Sequence, residues 1–231
     1  AAGLELLNLQ GNESCIDYGC MWGALTIPLS LRTKSVVAVD QTYYSLCFLH
    51  HRILEKNLTN ILLVNYNIKT LPNFVVKPDI AIINGVLEWI PNAGILELSK
   101  TYGKYKKETA PKINPYKSHL SFLTNVHSNL NKKGKTYLAI ENRYDINQFL
   151  LKKDPHVSVR LVCILPRFLS NIISKLVLGR PYINWLYSFK GLKSLLKKSG
   201  FSNVELYACF PHYHAPKLII PYDNQFHKNF T

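Results

Sequence analysis

A repeating alternation of short, apolar, β-branched runs with longer stretches of helical periodicity constrains this chain more than any other feature. Residues 14–18 (SCIDY) run into Gly19, and residues 35–39 (SVVAV) stop at Asp40, as buried parallel strands leave into turns. Between them, residues 24–31 carry Leu and Ile at helical spacing, with Pro28 tolerable only near a first turn. Past Asp40, Thr42 stands as a candidate N-cap for a helix in which Leu46, Leu49, Ile53 and Leu54 recur. Residues 61–64, 79–83 and 135–140 are further strand-like runs. Strands separated by helices need crossovers, so the pattern predicts βαβ units and a parallel sheet.

The end of the chain breaks the rhythm. Residues 189–199 read as an amphipathic helix with Leu192, Leu195 and Leu196 on one face and Gly200 at its end. Residues 204–210 and 217–220 then form two strands whose connection is too short for a crossover helix, so they are antiparallel neighbours. Two blocks stand outside the alternation. Residues 100–117 are basic, Tyr-containing and interrupted by proline, and residues 143–187 are apolar with Arg160, Arg167 and Lys175 interspersed.

Charge separates the chain into two parts. The 231 residues carry a formal net charge of +14. Up to Ser99 there are 6 Lys/Arg against 8 Asp/Glu, and from Lys100 onward 22 against 6. The first part is slightly acidic; the excess belongs to the second, which favours an anionic partner there. With 47% apolar and 18% charged residues the chain has the balance of a folded protein. No stretch is long and apolar enough for a membrane-spanning helix, and no secretory leader is expected. Cys15, Cys20, Cys47, Cys163 and Cys209 form no C-x-x-C pair and read as buried thiols of a reducing compartment. His50 and His51 are isolated, and no spacing of Cys, His or carboxylates suggests a metal.

The turn after the first strand places Asp17, Gly19 and Gly23 on three of the four fixed places of an acidic-x-G-x-G-x-G loop. Glycines there let the backbone approach a ligand, and a helix N-terminus behind them offers free N–H groups. Asp40, at the end of the second strand, is placed to accept hydrogens from both hydroxyls of a ribose. Loop and acid together point to a nucleoside ligand without deciding between a nicotinamide dinucleotide and S-adenosylmethionine. The middle glycine is replaced by Met21, which costs about 1–2 kcal/mol if the position requires a positive φ.

The antiparallel ending, together with Asn84-Gly85-Val86-Leu87-Glu88 after the fourth strand, makes the chain resemble class I S-adenosylmethionine-dependent methyltransferases over residues 14–222. Three strings, NGVLEWIP (84–91), AIENR (139–143) and FPHYHAP (210–216), resemble a narrower group associated with glycan and cell-surface biosynthesis. The resemblance implies an α/β, Rossmann-like, seven-stranded, mostly parallel sheet with an antiparallel C-terminal strand. It implies one domain over residues 1–231, with insertions at 100–117 and 143–187, the latter an acceptor-side lid. It also implies that Asp17 and Gly19 line the methionine end of S-adenosylmethionine, that Gly23 starts the next helix and that Asp40 holds the ribose. Asn67 would contact the adenine amino group and Asn84 the methionine amino group.

For the reaction, Glu88, Glu141, His212 and His214 are the candidate catalytic residues, standing at or near the carboxyl edge of the sheet. The expectation is O-methylation of a sugar or other small or lipid-linked acceptor by a cytoplasmic protein. Peripheral contact with an anionic membrane is left open by the basic, aromatic lid. Two alternatives stay open: an RNA methyltransferase using the basic insertions, and a non-catalytic relative that has lost cofactor use at Met21.

Overall fold

The computed structural model describes residues 2–68, 74–92, 113–154 and 156–222. Five strands form one parallel sheet: β1 (Ser14–Tyr18), β2 (Ser35–Asp40), β3 (Ile61–Asn65), β4 (Ile80–Asn84) and β5 (Lys135–Ala139). Their order is β3-β2-β1-β4-β5, with every neighbouring pair parallel. The chain winds outward in one direction from β1 and returns to build the other half with β4. The carboxyl ends of β1 and β4 therefore flank the point where strand order reverses, where open α/β sheets bind ligands.

Side-chain alternation covers both faces. Along β4, Ile80 and Ile82 enter one apolar cluster with Leu4, Leu7, Leu29 and Val36, while Ala81 and Ile83 enter another with Phe122, Leu123, Val126 and Leu195. A period of two in a strand makes this division unavoidable. Helices α1 (Thr26–Ser30) and α2 (Tyr43–Glu55) follow the first two strands. Buried Leu46, Leu49 and Ile53 of α2 pack with Ile27 and Ala38, as the helical spacing predicts. Thr42 is the α2 N-cap residue but its hydroxyl makes no cap bond. The opposite face is covered by α3 (Pro115–Ser128), whose first turn is capped by the Asn114 side chain accepting from the Lys117 N–H. Residues 115–117, expected in a surface insertion, thus begin a helix, and residues 93–112 lie outside the described residues.

Residues 143–187 form the second layer over the β5 end. They contain the short α4 (Ile146–Phe149) and α5 (Arg167–Leu178) and have their own core of Val157, Val159, Val162, Cys163, Tyr182 and Leu186 against Ile140. Helix α6 (Phe189–Lys198) leads to β6 (Tyr207–Phe210) and β7 (Leu218–Pro221), which pair antiparallel as expected. They do not complete a seven-stranded sheet. The two strands form a separate ladder, and a cleft of about 850 Å³, lined among others by Tyr137, Leu192, Tyr207 and Tyr213, lies between it and β5. Strands must approach to about 4.8 Å to share hydrogen bonds, and the cleft keeps the hairpin out of the parallel sheet. Among the described residues no helix is long and apolar enough to cross a membrane.

Candidate functional site

The loop after β1 is shaped by its own carboxylates. Gly19 and Gly23 adopt φ of +71° and +77°, and Met21 between them +45°, so the replaced glycine keeps its left-handed backbone. A Cβ on Gly19 would meet Val86 Cγ2 at 2.5 Å, which brings the loops after β1 and β4 into direct contact at the switch point. Asp40 accepts from the Met21 N–H at 2.8 Å through Oδ2 and from the Thr42 N–H at 2.7 Å through Oδ1. Asp17 accepts from the Thr26 hydroxyl at 2.6 Å. Burial raises the Asp17 carboxyl to about 6; the Thr26 bond opposes this and the charge of Asp40 adds to it.

Four amides of the loop are already engaged within the protein. Gly19 and Cys20 donate to Val39 O at 2.8 and 3.2 Å, Met21 to Asp40, and Gly23 to Cys20 O at 2.9 Å. Helix α1 is five residues long and adds no substantial dipole. A phosphate cradle requires several free amides converging on one point. With Gly19, Cys20, Met21 and Gly23 engaged, these four offer no such cradle, and the two acids suit a neutral or cationic ligand with hydroxyls. Each Asp40 oxygen keeps a second lone pair for such a hydroxyl. Met21 and Trp22 are more than half exposed, with Trp22 lying edge-on to Phe48. Asn67 is half-buried just beyond β3, and Asn84 is half-buried at the end of β4 beside Gly85.

A second group of polar residues stands at the ends of β4 and β5. Glu88 is buried in a 3-10 helix, Leu87–Asn92, and Glu141 follows β5. Both face His156, a residue of the lid with no sequence signal: its Nε2 lies 3.7 Å from Glu88 Oε1 and 3.7 Å from Glu141 Oε2. On the other side of the ring, Asp154 Oδ1 is 3.5 Å from Nδ1. Asp154 is itself held by the backbone N–H groups of His156 and Val157 and by the Cys163 thiol. Burial would lower the His156 pKa, but Asp154, Glu88 and Glu141 reverse this and lift it to about 10. Glu88 is pushed up by burial; His156 opposes the shift and Glu141 reinforces it.

The structure brings together two of the four candidate catalytic residues. Glu88 and Glu141 come together, whereas His212 and His214 are exposed on the connection between β6 and β7. The residue between them turns inward instead: Tyr213 donates to Glu141 Oε1 at 3.1 Å, and its hydroxyl occupies the space a Cβ on Gly85 would need. An aromatic residue flanked by two polar ones in FPHYHAP was the available signal. Arg143 is no partner of Glu141. Its guanidinium donates to the carbonyls of Cys163, Ile164 and Leu165, which ties the lid to the end of β5.

No protein-family model matches the chain. A protein of Methanosphaera stadtmanae assigned as ribosomal RNA small subunit methyltransferase A is 33% identical over 58 residues, 25% of this chain and 21% of that protein. The chain thus matches about a fifth of that relative's length. Among solved structures, a SAM-dependent methyltransferase from Methanosarcina mazei superposes with a TM-score of 0.59 at 14% identity, covering 94% of this chain and 92% of that one. An S-adenosylmethionine-dependent methyltransferase from Mesorhizobium loti gives 0.55 at 12% identity, covering 90% and 80%. At these identities the likeness is one of architecture: the chain has the α/β fold of S-adenosylmethionine-dependent methyltransferases.

Proposed function

We propose that this protein is an S-adenosylmethionine-dependent methyltransferase acting on the oxygen of a sugar or lipid-linked acceptor. The observation that carries the reading is the loop at the strand-order switch: left-handed glycines, two acids, and four amides already bonded within the protein. Such a loop suits a nucleoside bearing a sulfonium and disfavours a pyrophosphate. Bound S-adenosylmethionine supplies a methyl group already activated on sulfur.

The residues that would hold it are Asp40 at the ribose, Asp17 and Gly19 at the methionine end with Gly23 completing the turn, Asn67 at the adenine and Asn84 at the amino group. The acceptor hydroxyl would be held in line with that methyl group, and a carboxylate would take its proton. Glu88 and Glu141, with His156 between them, provide that acidic wall at the same edge of the sheet. Holding the two reactants in line and away from water accounts for much of such a rate.

Calorimetry with S-adenosylhomocysteine tests the reading. Saturable binding is expected, with no binding of a nicotinamide dinucleotide, and silence at millimolar S-adenosylhomocysteine would instead favour a non-catalytic relative. The local likeness to an RNA-methylating relative and the basic second half favour RNA as a second reading of the acceptor. That reading requires a gel shift that weakens steeply as salt is added.

A further inference from the structure

The Glu88–His156–Glu141 cluster has a geometry that hydrogen bonding does not explain. An ionised imidazole donating to a carboxylate sits at about 2.7–2.9 Å, yet His156 Nε2 is 3.7 Å from each glutamate oxygen. Glu88 Oε2 and Glu141 Oε2 are buried without a hydrogen-bond partner. One Nε2–H can serve only one of the two glutamates. Leaving a carboxylate oxygen buried and unpaired costs several times an ordinary hydrogen bond.

The three donor atoms all lie within 4.8 Å of one another. Two ligands each about 2.1 Å from a common cation and 3.7 Å apart subtend roughly 120° at it, within the range of low-coordinate sites. The surroundings are also those of a prepared site. Asp154 faces the remote nitrogen of His156, and Tyr213 bonds the remote oxygen of Glu141. Metal-binding histidines and carboxylates are oriented in this way by groups behind them.

We propose that Glu88, Glu141 and His156 bind a divalent transition-metal cation of the zinc–manganese class. Two carboxylates and one imidazole suit these ions, harder ions preferring all-oxygen sets and softer ones thiolate. Three protein ligands leave a coordination position open, and the acceptor oxygen would fill it. This last assignment rests on the methyltransferase reading; the cation site does not. The donors come from three separate segments, at positions 88, 141 and 156, so no linear spacing reveals them.

The test is a titration of the metal-stripped full chain with Mn2+, following the free-ion electron paramagnetic resonance signal. One bound ion per chain is expected, displaced by Zn2+. Glu141→Gln, at a half-exposed position, and His156→Ala should each weaken Mn2+ binding at least tenfold, with circular dichroism establishing that each variant is folded. Asp154→Asn should weaken it less while leaving the stoichiometry unchanged. Absence of binding, or binding unchanged in both ligand variants, overturns the proposal. Calorimetry with S-adenosylhomocysteine on the same preparation separates the two readings. A chain that binds Mn2+ through these residues but no S-adenosylhomocysteine retains the cation site and loses the methyltransferase; the reverse pattern does the opposite.

Discussion

Asp17 is a carboxylate that the fold holds out of water, and its protonation is coupled to stability. Its folded value of about 6 lies above the ordinary value of 3.8. Between those values the folded state binds more proton than the unfolded chain, so stability falls as pH rises from about 4 to about 6 and stays reduced above. Asp17→Asn removes this penalty while its carbonyl can still accept from Thr26. Urea unfolding at pH 7 should show the variant more stable by about 2–3 kcal/mol, with the advantage shrinking towards pH 4. An advantage independent of pH would reject this account. Gly19 makes a second prediction at the same scale. Alanine there meets both the positive φ and the stiff, buried Val86 side chain, so unfolding should reveal a loss of about 2–4 kcal/mol. The glycine and acid positions were legible in the sequence because a turn after a strand imposes them locally. That their amides are consumed by Val39 and Asp40 was not, since it depends on a neighbouring strand.

The lid shows how an element acquires its place. Its hydrophobic residues are evident in the sequence, but the anchor is Arg143, three of whose donor bonds go to lid carbonyls. Arg143→Ala should increase hydrogen exchange across residues 156–187 by about tenfold or more while β1 and β4 remain protected. Lysine should not restore it, since an ammonium cannot reproduce the planar fork. Equal protection in variant and parent would show that packing alone holds the lid. The final hairpin teaches a related lesson. Its antiparallel pairing follows from a short connection, whereas the cleft that separates it from β5 is a product of the tertiary structure.

Across the whole molecule, the basic excess and the exposed apolar face of α5 belong to the same part of the chain. The excess of basic residues lies from Lys100 onward. On α5, Phe168, Ile172 and Leu176 recur every fourth residue and are exposed, with Lys175 beside them and Arg180 just beyond the helix. A lipid-linked acceptor is consistent with such a surface, which would rest at a headgroup boundary. Flotation with anionic vesicles at low salt should carry the protein upward, and a Phe168→Ser, Ile172→Ser double variant should stay behind. Flotation unaffected by that variant would remove α5 from the contact. S-adenosylhomocysteine affinity should change little with salt, because its proposed site lies in the slightly acidic part.

The sequence by itself determined the strands, helices α1, α2 and α6, and the glycine and acid positions at the switch point. These follow from periods of two and 3.6 residues and from turn chemistry, all of which act over a few residues. Tertiary structure alone decided the meeting of Glu88, Glu141 and His156, the inward turn of Tyr213 and the role of Arg143. Tyr213 and Glu141 are 72 positions apart. Contacts of that separation are set by how the sheet, lid and hairpin dock, which no local period encodes.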